Sequence, residues 1–245
     1  MRPPPHLNES LPFGRPVSFP STSQGPTVHR SFRQLSFLTV LLAACHQGKA
    51  ADEAPAPIEP PARPLAQLAA QRVILVPAFS LVAGDALGWA AQIPKSRDYL
   101  KTLDDALEVA LGERGLKKQW IYAAGLVRAV RANPTYAVDP YSLGTNVLRN
   151  PNITSGTKLG DPLATQLRTM VALQEDGRAV LVPVELRFEQ LPSGEGVAAL
   201  RVMLLDGRLS DVRWVGTVRS DPARTFSPAV LTSLATHFAD LITAP

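Results

Sequence analysis

The stretch Leu35–Cys45, with the sequence LSFLTVLLAAC, constrains this chain more than any other part of it. Arg30 and Arg33 precede a short apolar run, and Ala43 and Ala44 stand directly before the only cysteine of the 245 residues. A basic start, a short apolar core and small residues at the end are typical of an export signal. A membrane-spanning helix needs roughly 20 apolar residues, so the stretch fits a transmembrane anchor poorly. It therefore predicts export and leaves a globular fold to the residues that follow.

The last four residues of this stretch, Leu42, Ala43, Ala44 and Cys45, resemble the lipobox of bacterial lipoproteins. The resemblance implies that a signal peptidase recognises the first three residues and that Cys45, carrying fatty acids such as palmitate, becomes the mature N-terminus. The alternative is a free thiol in a core helix, which the Ala- and Pro-rich residues after Cys45 disfavour. Several acyl chains would hold the protein stably on a membrane, because each buried methylene contributes ~0.8 kcal/mol. We expect the protein to be anchored at the periplasmic face of the outer membrane.

Four segments follow from composition. Residues 1–29 contain seven prolines and no periodic pattern, which predicts disorder. Export signals normally begin close to their basic region, so either the translation start is misplaced, for example with a true start at Val28, or this leader is a genuine disordered extension. Residues 30–45 are the signal, and the Ala/Pro-rich residues 46–64 predict an extended, semi-stiff tether. Residues 65–245 are long enough for a single globular domain.

The net charge of +4 and the isoelectric point of about 9.5 belong mostly to the segment before Cys45. Residues 1–44 contain four Arg and one Glu, so the chain from Cys45 onward keeps 21 basic and 20 acidic residues. Nucleic-acid grooves combine clustered Lys and Arg with aromatic platforms. The remaining chain has the pair Lys117–Lys118 and scattered arginines, so we expect no nucleic-acid partner. Without a second cysteine, the domain forms no internal disulfide.

Hydrophobic patterns predict an α/β fold with an α+β tendency. The expected architecture is a mixed sheet of about five strands with helices packed on it, in the order β-α-β-(α)-α-β-β-β-α. Arg72–Phe79 is predicted to be a strand with Pro77 at its exit. Leucines at steps of three and four predict a helix over Asp98–Gly115. Gln119–Val130 is interpreted as a strand, although Ala123–Arg131 also fits a helix.

Two Asp-Pro pairs predict helix starts, since Asp caps a helix and Pro suits its first position. Asp139-Pro140 predicts a short helix ending at Leu148, and Asp161-Pro162 predicts a longer one. Ser227-Pro228 predicts the start of the last helix.

The segments Ala179–Glu189, Val197–Leu205 and Asp211–Arg219 alternate apolar and polar residues and predict three consecutive antiparallel strands. In the first strand, alternation places five apolar residues on one face: Val180, Val182, Val184, Leu186 and Phe188. In the third, it aligns Val212, Trp214 and Val218.

Residues suited to catalysis are scarce after the signal. The only histidines there are His46 and His237, and we expect His237 to be a solvated surface residue. A nucleophilic triad needs a histidine base beside its nucleophile, and a zinc site needs at least three ligands, so two separate histidines suffice for neither. No glycine-rich phosphate loop is present. Asp104 and Glu108 are one helical turn apart and are expected on a solvated face, whereas Asp85 is the best loop acid. The sequence therefore predicts no catalytic residue, no metal and no cofactor.

The strand VILVPAF after a lipidated tether, the segment from Asp161 to Glu189, and the ending LRVMLLDGRLSDVRWVGTV followed by a helix resemble one superfamily. It contains the TolB amino-terminal domain, the curli-secretion lipoprotein and the penicillin-binding-protein activator lipoproteins. Its members often close one strand with Asp and carry Trp in the next, which correspond here to Asp206 and Trp214. The usual Thr-Gly turn is replaced by Arg208-Leu209-Ser210, so no binding site is carried over.

These observations predict a non-enzymatic envelope lipoprotein that is held to a membrane through Cys45 and binds an envelope protein or the cell wall. Trp214 is either a core aromatic packed against the last helix or part of a partner surface. One alternative is a subunit of an oligomeric secretion or assembly complex, which includes a homo-oligomer. Another is a small hydrolase that uses the loop acids Asp85 and Asp139.

Overall fold

A four-stranded mixed sheet lies at the centre of the part that the computed structural model describes, residues 63–174 and 177–244. The strands, in their spatial order, are β1 (Val73–Leu75), β2 (Ala179–Gln190), β3 (Gly196–Asp206) and β4 (Asp211–Arg219). β1 and β2 are parallel, whereas β2, β3 and β4 form the predicted antiparallel succession. The predicted α/β fold is confirmed. The leader, the signal with Cys45 and the tether up to residue 62 lie outside the described residues.

Two pairs of helices cover the two faces of this sheet. They are α1 (Ser96–Glu113), α2 (Ala123–Ala132), α3 (Leu163–Ala172) and α4 (Pro228–Asp240). The buried leucines of α1 and α4 share one core cluster with one face of the sheet, and those of α2 and α3 share a second cluster with the other face. Because the central strands are covered on both sides, their sequences are nearly continuous apolar runs. No helix in the described part of the chain is long and apolar enough to cross a membrane.

β1 is shorter than the predicted strand Arg72–Phe79, because Pro77 has no N–H to donate and the strand ends at Leu75. The predicted strand over Gln119–Val130 is wrong beyond one residue. Ile121 donates its N–H to the Val73 carbonyl and accepts from the Leu75 N–H, both at 2.9 Å, beside the outer edge of β1.

From Ala123 the same segment is helical and forms α2. Alanine and leucine favour a helix, and Leu126 packs against the sheet while its neighbours face outward. Of the two alternatives that the sequence left open for this segment, the helix is correct.

A bulge in β2 overturns the predicted alignment of its apolar residues. The pairing register with β3 shifts between Pro183 and Glu185. An extra residue in one strand reverses the face of every residue after it. Val180, Val182 and Val184 therefore pack on the α2/α3 side, whereas Leu186 and Phe188 pack on the α1/α4 side.

A second register shift, between Leu204 and Leu205 of β3, has the same effect on β4. Val212 lies on the α2/α3 side, opposite to Trp214 and Val218. The predicted alignment of these three residues is therefore also wrong.

Helix starts agree with the sequence at two of the three predicted positions. Asp161 accepts hydrogen bonds from the N–H and hydroxyl of Thr165 at 3.1 and 2.6 Å, and α3 follows. Pro228 occupies the first turn of α4. The predicted helix from Pro140 to Leu148 is wrong. The Asp139 carboxylate instead accepts from the Tyr141 N–H at 3.0 Å in a turn, and a short 3₁₀ helix spans Thr145–Arg149.

Candidate functional site

A cleft of about 500 Å³ opens at the carboxyl end of β1, between α1 and the start of α2. Its floor is formed by Leu75, Val76 and Pro77, and Tyr141 reaches it from the connection that follows α2. In α/β folds, ligands bind preferentially beyond the carboxyl ends of parallel strands. The volume lies within the range of small-molecule sites. The position and the size of the cleft therefore both suit a binding site.

One wall of the cleft is a charged side of α1. Lys101, Asp104, Asp105 and Glu108 all line it. Residues three and four positions apart lie on the same side of a helix, so these four residues project from adjacent turns. The expectation that Asp104 and Glu108 belong to a freely solvated face is corrected here, because this side of α1 faces the cleft.

Asp104 is the most constrained of these residues. The chain that leaves β1 passes over it, and the Ala78 N–H donates a hydrogen bond of 2.7 Å to Asp104 Oδ1. The other carboxylate oxygen, Oδ2, is buried and has no hydrogen-bond partner among the described residues. The carboxylate is thus only half satisfied by the described residues.

Burial raises the pKa of Asp104 to about 7, against the lowering effect of the Ala78 N–H and with a further increase from the charge of Asp105. Near neutral pH the carboxyl is therefore divided between its protonated and ionised forms. It donates a hydrogen bond in the first form and accepts in the second. A shifted carboxyl in a cleft is typical of a functional site.

Tyr122 stands at the N-terminal boundary of α2 and lines the same cleft. Only 7 % of its surface is exposed, and its hydroxyl is buried without a hydrogen-bond partner in the described part of the chain. Burial, followed by the charge of Glu108, raises the pKa of Tyr122, so the phenol stays protonated. An unpaired buried hydroxyl costs about 1–3 kcal/mol. A ligand that accepts a hydrogen bond from this hydroxyl would remove that cost.

The opposite wall belongs to α2 and is basic. Arg128 and Arg131 line it, together with Ala123 and Ala124 in the first turn of the helix. The first N–H groups of a helix have no acceptor within it and carry a partial positive charge, which adds to that of the arginines. None of the ion pairs between described residues involves these arginines or the charged residues of the α1 wall.

A second depression of about 390 Å³ adjoins the cleft and shares Lys101, Asp104 and Tyr141 with it. The Arg97 guanidinium lies 5.9 Å from the centre of the Tyr141 ring. Burial raises the pKa of Tyr141, as do the charges of Asp104, Asp105 and Asp139, while Arg97 opposes them. Tyr141 is therefore a neutral hydroxyl beside both depressions.

The predicted loop acids do not meet in this cleft. The Asp85 carboxylate accepts hydrogen bonds from the N–H groups of Leu87, Trp89 and Ala90 at 2.9, 3.1 and 2.8 Å, which fixes its own turn. Asp139 holds the turn before Tyr141 and is likewise not one of the lining residues. Both acids act as local structural acceptors.

His237 joins α4 to the end of β4. Its Nδ1 lies 2.7 Å from the Arg219 carbonyl oxygen and its Nε2 lies 3.4 Å from Asp221. This partly exposed position is on the surface, as the sequence predicts, and lies outside the residues that line the cleft.

Asp206 is a structural residue of the β3–β4 turn. It is 5 % exposed, accepts from the N–H groups of Arg208 and Leu209 at 3.0 Å, and pairs with Arg178 and Arg213 at 2.6 and 3.2 Å. Burial opposes ionisation, but these donors and charges together keep the pKa of Asp206 below its ordinary value.

Trp214 is half-buried on β4 and packs against the core between the sheet and the α1/α4 layer. A side chain at Gly216 would collide with its ring. Part of the ring stays exposed, so the partner surface at Trp214 remains a prediction that the structure does not test.

Much of the cleft could not be identified from the sequence. The acidic spacing on α1 was visible, but burial of Asp104 depends on the Ala78 segment, which is 26 residues away. The basic wall was missed because Gln119–Val130 was interpreted as a strand, which ends before Arg131 and so does not join it to Arg128. For Tyr122 the sequence offers no signal.

The described residues thus define a three-layer α/β domain with a cleft of mixed charge. No three of their His, Cys, Asp and Glu side chains are placed to hold a metal ion. No protein-family model matches the chain, and no curated protein matches it.

Solved structures similar to this chain include the PelC dodecamer from Paraburkholderia phytofirmans, in a variant form at 14 % identity and a TM-score of 0.36, and in another crystal form at 13 % and 0.35. Each similarity covers 71 % of this chain and 90 % of the other. Lipoprotein GNA1162 from Neisseria meningitidis is similar at 11 % identity and a TM-score of 0.34, over 69 % of this chain and 96 % of its own. Similarity this slight transfers neither function nor assembly.

Proposed function

We propose that this chain is a lipid-anchored protein of the bacterial envelope whose domain is a non-enzymatic binding module, with the cleft between α1 and α2 as its binding site. The observation that carries the binding role is the set of unpaired polar groups in the cleft, above all the buried oxygens of Asp104 and Tyr122. The lipobox-like residues Leu42 to Cys45 support the anchoring, and the Pro-rich tether supports reach away from the membrane.

Binding is favoured over covalent catalysis by the residue types in the cleft. Its lining contains no Cys, His, Ser or Thr, so neither a Ser-His nor a Cys-His nucleophile pair is present there. The lining supplies instead carboxylates, guanidinium groups and phenols, which recognise a ligand by charge and hydrogen bonding.

The anchoring half of this proposal is tested with wild-type and Cys45→Ser chains expressed in a bacterium. We expect the wild-type chain in the membrane fraction, with mass spectrometry showing acyl chains on Cys45, and the variant unprocessed and without lipid. Thr39→Val, within the apolar run, is the matched control and should behave as wild type. A soluble, unlipidated wild-type chain would refute the anchoring.

The binding half is tested in the same cells by photo-crosslinking from Val127, which lines the cleft, and from Leu209, which is 49 % exposed outside it. We expect a specific adduct from position 127 and none from position 209, and loss of the adduct in the Cys45→Ser background. Equal labelling from both positions would contradict a binding role for the cleft. Sedimentation of the purified chain separates this function from the assembly alternative, since an assembly subunit would sediment as a large oligomer.

A further inference from the structure

Opposite charges face each other across the cleft without being joined by an ion pair. The α1 wall carries Asp104, Asp105 and Glu108 together with Lys101, and the α2 wall carries Arg128 and Arg131. Oppositely charged groups that share a cleft and leave it open can both be satisfied by one molecule that carries both charges.

Two residues that line the cleft carry unpaired polar atoms beside these charges. Asp104 Oδ2 and the Tyr122 hydroxyl are each shielded from solvent, and neither has a hydrogen-bond partner in the part of the chain that the structure describes. Tyr122 is more than nine-tenths buried. Buried polar groups are nearly always paired, so each exception calls for an explanation. A ligand that draws either side chain toward the cleft would supply its missing partner.

We propose that this cleft binds a small zwitterion of the amino-acid or short-peptide class. Its ammonium group would lie against Asp104 and Glu108 on α1, and its carboxylate against Arg128 and Arg131 on α2. The inference rests on the proposed function in treating the cleft as a binding site.

The other ligand classes fit the cleft less well. A metal ion would need three grouped ligands, which the described residues do not provide. A simple anion would suit the α2 wall but would be repelled by the acidic side chains opposite, and a simple cation would be repelled by the arginines. In a zwitterion, the carboxylate benefits from the arginines and from the helix N-terminus, while the ammonium group forms charge-assisted hydrogen bonds with the carboxylates.

The test is calorimetric titration of the full-length chain, purified in detergent whether or not it carries lipid, with three probes. Trialanine carries both charges, N-acetyl-trialanine lacks the ammonium group, and trialanine amide lacks the carboxylate. We expect saturable binding of trialanine, and binding weaker by at least about tenfold for each blocked probe, the effect of losing one charge-assisted hydrogen bond. No saturable binding of trialanine up to about 10 mM, or equal binding of all three probes, overturns the proposal.

Single variants assign the two ends of the ligand. Arg128→Gln should weaken trialanine about tenfold and leave trialanine amide unchanged, and Glu108→Gln should weaken trialanine and leave N-acetyl-trialanine unchanged. Lys118→Gln, which removes an exposed charge outside the cleft, is the matched control and should bind as wild type. If the two cleft variants weaken all probes alike, the assignment of the two ends is wrong.

Tyr122→Phe separates a binding role from a structural one. It deletes the unpaired hydroxyl and keeps the ring, so we expect weaker trialanine binding with no loss of stability in urea. Unchanged binding would remove Tyr122 from the site, and lost stability would show that its hydroxyl is structural. Failure of lipidation leaves the titration valid, whereas failure of the titration leaves the anchoring valid, so the two proposals fail separately.

Discussion

Asp104 is the residue at which the fold and the site conflict most directly. A carboxyl held by one backbone N–H and otherwise buried would be replaced by an apolar residue if packing were its only role. Asp104 lines the cleft together with Tyr122, so a ligand at the proposed site would recover part of the free energy that its burial costs. A ligand that binds only the folded state raises the free energy of unfolding of the domain.

The first prediction concerns Asp104 and pH. Burial raises the pKa of Asp104 to about 7 in the folded chain from an ordinary value of 3.8, so the folded state binds the proton more tightly between these values. Stability must therefore fall as pH rises from about 4 to 7. We expect Asp104→Asn, which keeps an acceptor for the Ala78 N–H, to be more stable than wild type by about 1–4 kcal/mol at pH 8 and nearly equal to it at pH 4.

Urea unfolding at both pH values measures this difference. Glu113→Gln changes an exposed carboxylate at the end of the same helix and is the matched control, with a small effect at either pH. A variant at position 104 that gains no stability at pH 8 would show that the carboxyl is not destabilised by its burial.

Among the elements, β2 shows how far sequence patterns reach. Alternation located the strand to within a residue or so, and the pairs Asp161-Pro162 and Ser227-Pro228 located two helix starts, since these signals are local. The bulge between Pro183 and Glu185 was not predictable, because the apolar pattern continues through it without a break. When both faces of a strand are buried, the pattern no longer records which residue faces which layer.

The same limit explains the error at α2. Ile121 and its neighbours are apolar enough for a strand, and Ile121 itself does pair with Ile74 of β1. The pairing ends because the chain turns into α2, whose tertiary packing buries Leu126 against the sheet and leaves Arg128 and Arg131 on the cleft wall. For the candidate site, the α1 acids were therefore predictable as a group, and the α2 wall was not.

The second prediction tests how tightly α3 packs on the sheet. A Cβ at Gly207 would collide with Val171 of α3 and would lie 3.0 Å from a methyl carbon of Val180 in β2. Both valines are at least 95 % buried and have no room to move away. We expect Gly207→Ala to destabilise the domain by about 1–3 kcal/mol.

Denaturant unfolding measures this loss, and Gly160→Ala is the matched control, because a Cβ at Gly160 would meet nothing within 4 Å. Val171→Ala in the Gly207→Ala background should restore part of the stability by making room for the new methyl group. An unchanged midpoint for Gly207→Ala would show that α3 is free to move away from β2.

At the scale of the whole molecule, the two helix layers explain why the cleft lies where it does. α1 precedes α2 in the chain but packs on the other face of the sheet, so the two helices meet only past the edge strand β1. Beyond that edge, Pro77 ends the strand and Ile121 contributes a single pairing, which leaves the space that the charged walls enclose. The position of the cleft thus follows from the topology, whereas its charges come from the side chains that α1 and α2 carry there.

The third prediction fixes where the folded domain begins. Leu65 and Leu68 are 0 and 1 % exposed, and the Leu65 N–H donates to the Leu241 carbonyl at 3.1 Å, so the chain just after the proposed tether belongs to the core. We expect a fragment of residues 63–245 to unfold in one transition at the midpoint of the full chain. A fragment of residues 72–245 should lose at least about 2–5 kcal/mol, the cost of emptying a buried leucine site. Leu65→Ala in the full chain is the matched control and should lose part of that amount. If the shorter fragment kept the full midpoint, the domain would begin later than the boundary proposed here, and residues 63–71 would be part of the tether.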